Sequence, residues 1–170
     1  ASDVYKRQPL KIKCFEKNKK IKESLAFNDV SLIRSSSKIA KIKIEVNNKT
    51  RIEEFLGDGC LIATPAGSSA YNLSLRGPVI PVGAKVLALT PISPYRPRRW
   101  RGALLTNDAK ITLYAIDSKL RPVRAEADFM QFENIDRLEI ELEKKLFVKL
   151  LFDNGHELEE SIINEQFNNS

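Results

Sequence analysis

The sequence predicts a mainly β fold: an antiparallel β-sandwich-like domain with one short helix after the turn at Thr64-Pro65 and a second helix at the C-terminus. Apolar and polar residues alternate with a period of two over most of the chain, as they do in half-buried strands. Strands also do not alternate with helices, as they would in a parallel α/β sheet. With 170 residues, of which 42% are hydrophobic, the chain is long enough to bury a core.

Alternation predicts the strands that precede the central segment, residues 57–78. Leu10, Ile12 and Cys14 alternate with lysines, which indicates a half-buried strand after Pro9. We further expect a solvated turn at 17–20, strands at 24–33, 39–46 and 50–55, and a hairpin turn at Asn47-Asn48.

Two poor strand formers, Asn28 and Asp29, interrupt the apolar run of the strand predicted at 24–33. A bulge or an edge position in a sheet would accommodate them, and so would a contact with a ligand. The pattern alone favours neither explanation.

The region after the central segment is predicted from alternation and from prolines. A short apolar strand at 86–89 is followed by three prolines, which predict an irregular loop over 91–97. Helical spacing of apolar residues predicts a terminal amphipathic helix over 156–167. The remaining predicted strands are 110–116, 122–128, 137–143 and 146–152, the last two joined by a hairpin at 143–145.

Composition and charge limit the classes of function. The formal net charge of +6 and the pI near 9.3 favour anionic partners such as nucleic acids, phosphorylated metabolites or acidic membrane surfaces. Cys14, Cys60 and His156 lack the spacing of a zinc site, so we expect no metal ligands. No apolar run approaches the ~20 residues of a membrane span and no secretory signal is present, so a cytoplasmic location without membrane contact is expected. Residues 1–8 show no period and are interpreted as a non-native tail.

The central segment concentrates glycines, hydroxyls, a carboxylate and a tyrosine around one strand end. Pro65 ends an apolar strand at 60–63, and Gly67 permits a positive φ angle in the turn that follows. Ser68 or Ser69 can cap the next helix, which a Gly-Pro pair then stops.

This segment has features of a small-molecule site. A helix start that follows a strand exposes N–H groups to phosphate oxygens or purine acceptors. Tyr71 can lie against a base, and Asp58 can accept from an amide or a ribose hydroxyl. A turn at Asp58, a cap at Ser69 and packing of Tyr71 explain the same residues without a ligand, so both interpretations stay open. The nucleophile-elbow and Walker patterns are absent, which disfavours hydrolase and P-loop chemistry.

One long motif closely resembles part of the C-terminal domain of bacterial-type NAD kinases. It reads T-P-A-G-S-S-A-Y-N-L-S at 64–74, and it is followed by Gly77-Pro78 and by L-T-P-I at 89–92. The segment A-F-N-D-V at 26–30 resembles the Asn-Glu or Asn-Asp element of that family. The resemblance covers residues 9–167, which we interpret as one domain followed by a short tail at 168–170.

The resemblance implies an enzyme that phosphorylates the adenosine 2′-hydroxyl of NAD to give NADP. The phosphate donor would be ATP or another donor with a divalent metal, normally Mg²⁺. By the same likeness, Asn28 and Asp29 contact the dinucleotide and Asp58 holds its nicotinamide end. Weaker matches to binding positions are Lys41 and Ser93. The residues expected around the adenosine and its ribose are Ala66, Ser69, Ala70, Tyr71 and Ser74. A homodimer or homotetramer, whose neighbouring subunits complete each site, is also implied.

The chain departs from the family pattern in two places. The catalytic aspartate of the family lies in a Gly-Gly-Asp-Gly motif that is not in this sequence, and Gly57-Asp58-Gly59 is preceded by Leu56 instead of glycine. We therefore expect no catalytic residue and no bound metal in this chain, which would be a fragment of a kinase with little activity alone. After Asp128, Phe129-Met130 stand where many members carry glutamine, so that site is not carried over.

Two alternatives to the NAD kinase interpretation stay open. A non-enzymatic nucleic-acid-binding β-domain would use the basic run R-P-R-R-W-R at 96–101 for phosphates and stacking. In a kinase, the same run would be a cationic wall beside the pyrophosphate, a subunit contact or a solvated loop. The second alternative is the second domain of a related lipid or sugar kinase. The motif at 64–74 favours NAD, with no nucleic-acid partner.

Overall fold

Two six-stranded antiparallel sheets and a two-stranded ribbon build the domain. The computed structural model describes residues 3–146, 148–152, 163 and 167. The strands are β1 Asp3–Arg7, β2 Leu10–Glu16, β3 Lys19–Ala26, β4 Asp29–Arg34, β5 Ala40–Val46, β6 Lys49–Gly57, β7 Gly59–Ala63, β8 Val86–Ile92, β9 Ala103–Thr106, β10 Ile111–Ala115, β11 Val123–Ala127, β12 Met130–Phe132, β13 Arg137–Leu142 and β14 Val148–Phe152, and helix α1 is Tyr71–Ser74. The predicted mainly β, sandwich-like fold is confirmed.

The hydrophobic core lies between the two larger sheets. The first sheet has the order β3-β2-β13-β10-β5-β6 and the second the order β12-β11-β4-β7-β8-β9. Ile42 and Ile44 of β5 share one fully buried cluster with Val30 and Leu32 of β4. Buried residues alternate with half-buried ones along β5, which is the period of two that predicted this strand.

Strand β7 does not alternate, because all of its residues are buried. Cys60 and Ile62 belong to the core between the sheets. Leu61 and Ala63 belong to a smaller apolar cluster, to which Ile80 contributes. The chain after α1 therefore folds back over the outer face of the second sheet.

The chain changes sheets at Asn28. Strand β3 ends at Ala26 in the first sheet, and β4 begins at Asp29 in the second. The single strand predicted at 24–33 is therefore wrong. Asn28 lies between the two strands, outside either ladder, and Asp29 is the first residue of β4, so neither residue interrupts the interior of a strand.

A second change of sheets occurs at Asp58. Strand β6 ends at Gly57 in the first sheet, and β7 begins at Gly59 in the second. A Cβ atom on Gly59 would collide with the backbone oxygen of Leu32 in β4. Glycine is required at this position because the two backbones approach so closely.

The irregular loop predicted over 91–97 begins later than expected. Strand β8 continues through Pro91 to Ile92, and Pro91 lies opposite Cys60 of β7. On its other side, β8 pairs with β9 only as far as Leu89. The proline is tolerated because one side of β8 has no ladder partner at that point.

Several smaller predictions need correction. The turn predicted at 17–20 is shorter, since Lys19 already belongs to β3, and strands β9 and β12 were not predicted. The hairpin predicted at 143–145 is wrong, because β14 pairs with β1 instead of β13. Strand β1, Asp3–Arg7, lies within the segment 1–8 that was interpreted as a non-native tail, and that interpretation stays a prediction.

The C-terminal helix predicted over 156–167 falls outside the described residues, except for Ile163 and Phe167, whose backbone is helical. The short tail predicted at 168–170 also falls outside them. Among the described residues, no helix has the length and apolar character needed to cross a membrane.

Candidate functional site

The turn after β7 is fastened to the first change of sheets. The Thr64 hydroxyl donates a hydrogen bond to the Phe27 carbonyl at 2.7 Å, and the Thr64 amide donates to the Asn28 carbonyl at 3.0 Å. The same hydroxyl accepts from the Gly67 amide at 3.1 Å. One threonine thus joins the turn of the motif to the Asn-Asp element.

Gly67 is required for close approach and not for its φ angle. A Cβ atom at this position would collide with the Asn28 backbone. The positive-φ glycines of the described structure are Gly83 and Gly102. Gly67 therefore does not adopt the positive φ angle that glycine permits, but the position still demands glycine.

The serines of the motif do not cap the helix. Helix α1 has four residues, its N-cap is Ala70, and no side chain caps it. The Ser68 hydroxyl instead donates to the Pro65 carbonyl at 2.7 Å and accepts from the Ile80 amide at 2.8 Å. Helix α1 is a single turn, so its dipole contributes little to the binding of an anion at its start.

Asn72 holds the motif together from inside. Its buried amide nitrogen donates to the Ser68 carbonyl at 3.2 Å and to the Pro78 carbonyl at 2.9 Å. Its amide oxygen accepts from the Thr90 hydroxyl at 2.6 Å. The loop over the second sheet is therefore fixed by a satisfied network of buried polar groups.

Asp128, which the sequence did not assign to the site, holds the first change of sheets in place. Its carboxylate accepts from the backbone amides of Phe27 at 2.7 Å, Asn28 at 2.9 Å and Asp29 at 3.3 Å. The Asp128 amide in turn donates to the Asp29 carbonyl at 3.2 Å. The sequence contains no local signal for this role, because Asp128 lies about a hundred residues further along the chain.

The carboxyl group of Asp29 lies among other acidic groups. Burial, followed by the neighbouring carboxylates of Asp128 and Glu126, raises the pKa of Asp29 from 3.8 to about 6. A fraction of Asp29 is therefore protonated just below neutral pH and can then donate a hydrogen bond.

Asp58 and Tyr71 line one cavity of about 360 Å³. Burial raises the pKa of the Tyr71 phenol, with smaller contributions from the carboxylates of Glu126, Asp58 and Asp29. The charges of these three acidic residues therefore act on the Tyr71 phenol, and Tyr71 is 41% exposed. The two changes of sheets bring together groups that are far apart in sequence.

Arginines that the sequence analysis missed line the same cavity. Arg34, at the end of β4, contacts the Asp58 carboxylate with its Nε atom 2.9 Å from Oδ1. Arg124 of β11 contacts Glu126, with Nε 2.8 Å from Oε1. Single positive charges within alternating strands give no sequence signal of such a role.

Four of the remaining predicted residues lie near Tyr71 or Asp58 in the chain or in space. Ser69 is half-buried, while Ala70 and Ser74 are exposed on the same turn as Tyr71. Ser93 is exposed just after β8. Its carbonyl oxygen lies close to Gly57, 3.0 Å from the position that a Cβ atom on this glycine would take. Ser93 is therefore near Asp58, which follows Gly57.

Two further predicted residues lie away from the cavity of Asp58 and Tyr71. Ala66 lines a second cavity, of about 300 Å³, with Phe27 and Thr64. Lys41 lies on β5 of the first sheet, where its ammonium is 3.6 Å from Asp117. Within the described structure, the side chain of Lys41 forms no hydrogen bond with the other predicted residues.

The basic run at 96–101 is anchored at its ends. The amide of Leu56 donates to the Arg96 carbonyl at 2.8 Å, and the Trp100 ring packs edge-on against Phe55 with 5.9 Å between centroids. Arg98 lies over the Tyr95 ring at 5.5 Å. The arginines of this loop are exposed beside β6.

In the described part of the chain, no group of three or more His, Cys, Asp or Glu side chains could hold a metal ion.

Comparison with known proteins identifies relatives of this domain. The family model "ATP-NAD kinase C-terminal domain" matches residues 27–125. A protein named NAD kinase from Hyphomonas neptunium is 45% identical over 159 residues, which are 94% of this chain and 62% of the relative. Another, from Rickettsia typhi, is 46% identical over 166 residues, which are 98% of this chain and 65% of the relative. The chain thus spans less than two thirds of the length of these relatives.

Two solved structures share the fold. A yeast NADH kinase complexed with NADH superposes with a TM-score of 0.85 at 24% identity, covering 98% of this chain and 50% of that one. An NAD kinase from Archaeoglobus fulgidus in complex with ATP gives a TM-score of 0.76 at 19% identity, and the superposition covers 96% of this chain and 60% of that one. Since the family model matches more than half of the residues, this chain belongs to the ATP-NAD kinase family and contains its C-terminal domain.

Proposed function

We propose that this chain is the NAD-binding domain of an NAD kinase, which transfers a phosphoryl group to the adenosine 2′-hydroxyl of NAD. The domain would comprise residues 9–167. One observation supports the proposal: Asp58, at the second change of sheets, and Tyr71 of the motif line a common cavity, and the carboxylates of Asp58 and Asp29 both act on the pKa of the Tyr71 phenol. The named activities of the relatives and of the solved neighbours support the same function.

The chemistry of these groups suits a dinucleotide. Ribose hydroxyls and the nicotinamide carboxamide are hydrogen-bond donors, and the carboxylates of Asp29 and Asp58 are acceptors. The half-exposed ring of Tyr71 offers a surface on which a base can stack. We assign Asn28 and Asp29 to the dinucleotide, and Asp58 to its nicotinamide end. To the adenosine and its ribose we assign Ala66, Ser69, Ala70, Tyr71 and Ser74, with Lys41 and Ser93 as weaker candidates.

The remainder of the reaction is assigned to parts of the enzyme outside this sequence. Phosphoryl transfer depends on positioning the donor, on a group that accepts the hydroxyl proton, and on a divalent cation, normally Mg²⁺. The described residues do not fit a metal site. ATP is the proposed donor, since a solved neighbour was crystallised with ATP. We expect little activity from this chain alone, a cytoplasmic location, and assembly as a homodimer or homotetramer.

The proposal is tested with the complete enzyme that contains this domain. Asp58→Ala and Tyr71→Ala should each lower kcat/KM for NAD by about 100-fold, or ~2.7 kcal/mol of transition-state stabilisation, without changing the melting temperature. Glu54→Ala, at an exposed position of β6, is the control and should keep wild-type kinetics. Wild-type kinetics in both site variants would refute the site assignment.

Binding to this chain separates the proposal from a nucleic-acid-binding function. Isothermal titration should detect NAD binding, while a fluorescent oligonucleotide should bind weakly at physiological ionic strength. Strongly salt-dependent oligonucleotide binding without any response to NAD would favour the basic loop at 96–101 as the functional surface instead. Light scattering of the complete enzyme would measure the number of subunits.

A further inference from the structure

We infer that Arg34 is a positioning residue for Asp58, holding its carboxylate in the orientation in which it accepts a hydrogen bond from the bound dinucleotide. The inference rests on the proposed function, because Asp58 is assigned to the dinucleotide there. It adds a residue that no sequence motif singles out and that does not itself need to touch the substrate.

The backbone of Asp58 is held from two neighbouring strands. The Arg34 amide donates to the Asp58 carbonyl at 2.9 Å, and the Asp58 amide donates to the Ile92 carbonyl at 2.9 Å. Strands β4 and β8 thus fix the peptide groups on each side of this residue. With its backbone fixed, the orientation of Asp58 depends on its two side-chain torsions alone.

The guanidinium of Arg34 fixes those torsions. Its Nε atom donates to Oδ1 of Asp58 at 2.9 Å, and its Nη1 atom donates to the Ser36 carbonyl. Because the guanidinium is planar and rigid, two donors bound at once determine its orientation. Among the described residues, no donor reaches the second carboxylate oxygen, Oδ2, which remains available to a ligand in the cavity shared with Tyr71.

A third contact supports Arg34 from the neighbouring strand. Nη1 of Arg124 donates to the Arg34 carbonyl at 2.9 Å, while Nε of Arg124 is occupied by Glu126 at 2.8 Å. Arg34 therefore lies between two strands that each restrain it. Such a chain of contacts is typical of groups that must be held within a narrow range of orientations.

A contribution to folding stability does not explain the pair well. The side chains of Arg34 and Asp58 are 37% and 38% exposed, and ion pairs with that much solvent contact contribute little to stability. The pair also lies at the rim of a cavity and not in the core between the sheets. Orientation of the carboxylate is the larger effect of the contact.

The test is a double-mutant cycle in the complete enzyme, with Arg34→Gln, Asp58→Asn and the double variant. Arg34→Gln should raise the KM for NAD about tenfold, with the KM for ATP and the melting temperature nearly unchanged. Because Arg34 acts through Asp58, Arg34→Gln should have no further effect in the Asp58→Asn background. Arg34→Lys, which keeps the charge but not the two fixed donors, should recover only part of the affinity.

Arg137→Gln is the matched control, since Arg137 forms an ion pair with Glu139, Nε to Oε2 at 3.3 Å, on β13 of the other sheet. It should leave the KM for NAD unchanged. An unaltered KM in Arg34→Gln, or effects of Arg34→Gln and Asp58→Asn that simply add, would overturn the inference while leaving the proposed function intact. A wild-type enzyme that forms no NADP would instead overturn the proposed function, and the inference with it.

Discussion

The carboxylate of Asp128 accepts a hydrogen bond from the backbone amide of Asn28 at 2.9 Å, across about one hundred residues of sequence. The same carboxylate accepts from the amides of Phe27 and Asp29. The Asn-Asp element is therefore held in shape by the tip of a distant hairpin. The hairpin between β11 and β12 thus stabilises one side of the proposed site.

Removal of the Asp128 carboxylate should destabilise the domain. Asp128→Ala leaves three amides without their acceptor, and at about 1 kcal/mol for each hydrogen bond we expect a loss of about 2–3 kcal/mol in the free energy of unfolding. Urea denaturation measures this loss. Asp136→Ala is the control. Among the described residues, the Asp136 carboxylate accepts one exposed backbone hydrogen bond, from the Lys17 amide, so its loss should cost less than about 1 kcal/mol. Equal losses in the two variants would contradict the role given to Asp128.

Substitution of Gly67 should separate the motif turn from Asn28. In Gly67→Ala the new Cβ atom would overlap the Asn28 backbone, which cannot move without breaking its bonds to Thr64. We expect a loss of about 2–3 kcal/mol of stability together with weaker NAD binding. Gly83→Ala is the comparison: its Cβ atom meets open space, but its φ of 94° should cost about 1 kcal/mol. A Gly67→Ala protein as stable as Gly83→Ala would refute the close approach.

Asn72 should be essential to the loop that covers the second sheet. Asn72→Ala removes both hydrogen bonds to the carbonyls of Ser68 and Pro78 and leaves the buried Thr90 hydroxyl without its acceptor. We therefore expect the free energy of unfolding, measured by thermal unfolding, to fall by about 3 kcal/mol. Gln131→Ala removes an exposed amide and should change stability by less than about 0.5 kcal/mol. If Asn72→Ala melts like the wild type, the buried network has no stabilising role.

Stability should depend on pH through Asp29. Its pKa is raised from 3.8 to about 6 on folding, so between these values the folded protein binds more protons than the unfolded chain. The contribution of Asp29 is therefore most favourable below pH ~4 and is lost as the pH rises to about 6. Solvent screening of this partly exposed group reduces the loss to about 1 kcal/mol. Urea denaturation of the wild type and of Asp29→Asn from pH 4 to 7 gives the free energy of unfolding at each pH. The two values should be similar at low pH, and the wild type should become the less stable protein as the pH approaches 6.

The opposite slope would contradict this prediction. If Asp29→Asn lost stability relative to the wild type as the pH rose, Asp29 would be stabilised as an anion by a positive group. The neighbouring groups that act on it are the carboxylates of Asp128 and Glu126, so such a result would require a different arrangement of this cluster.

Much of the fold was predictable because it depends on local periodicity. The lysine-alternating segment of β2 and the clean alternation of β5 each predicted a strand, and Asn47-Asn48 predicted the turn that follows β5. Which strands pair with each other was less predictable. The amphipathic pattern of β14 does not reveal whether its partner is β13 or β1, because partner choice depends on contacts between distant residues.

The candidate site shows the same division. Tyr71, which lines the cavity with Asp58, lies within the motif and could be singled out from local chemistry and family likeness. Arg34, Arg124 and Asp128 were not, because each lies in an ordinary strand or turn pattern and acquires its role from a partner brought close by the sheets.

By itself the sequence determined a β-rich domain, a motif at 64–74 and the family to which that motif belongs. The tertiary structure decided that Asn28 and Asp58 stand where the chain changes sheets, and that Gly67 is needed for close contact. It also decided which charges meet around Tyr71. The reason is physical: periodicity and turn chemistry act over a few neighbouring residues, whereas hydrogen bonds, ion pairs and pKa shifts depend on distances that only the folded sheets establish.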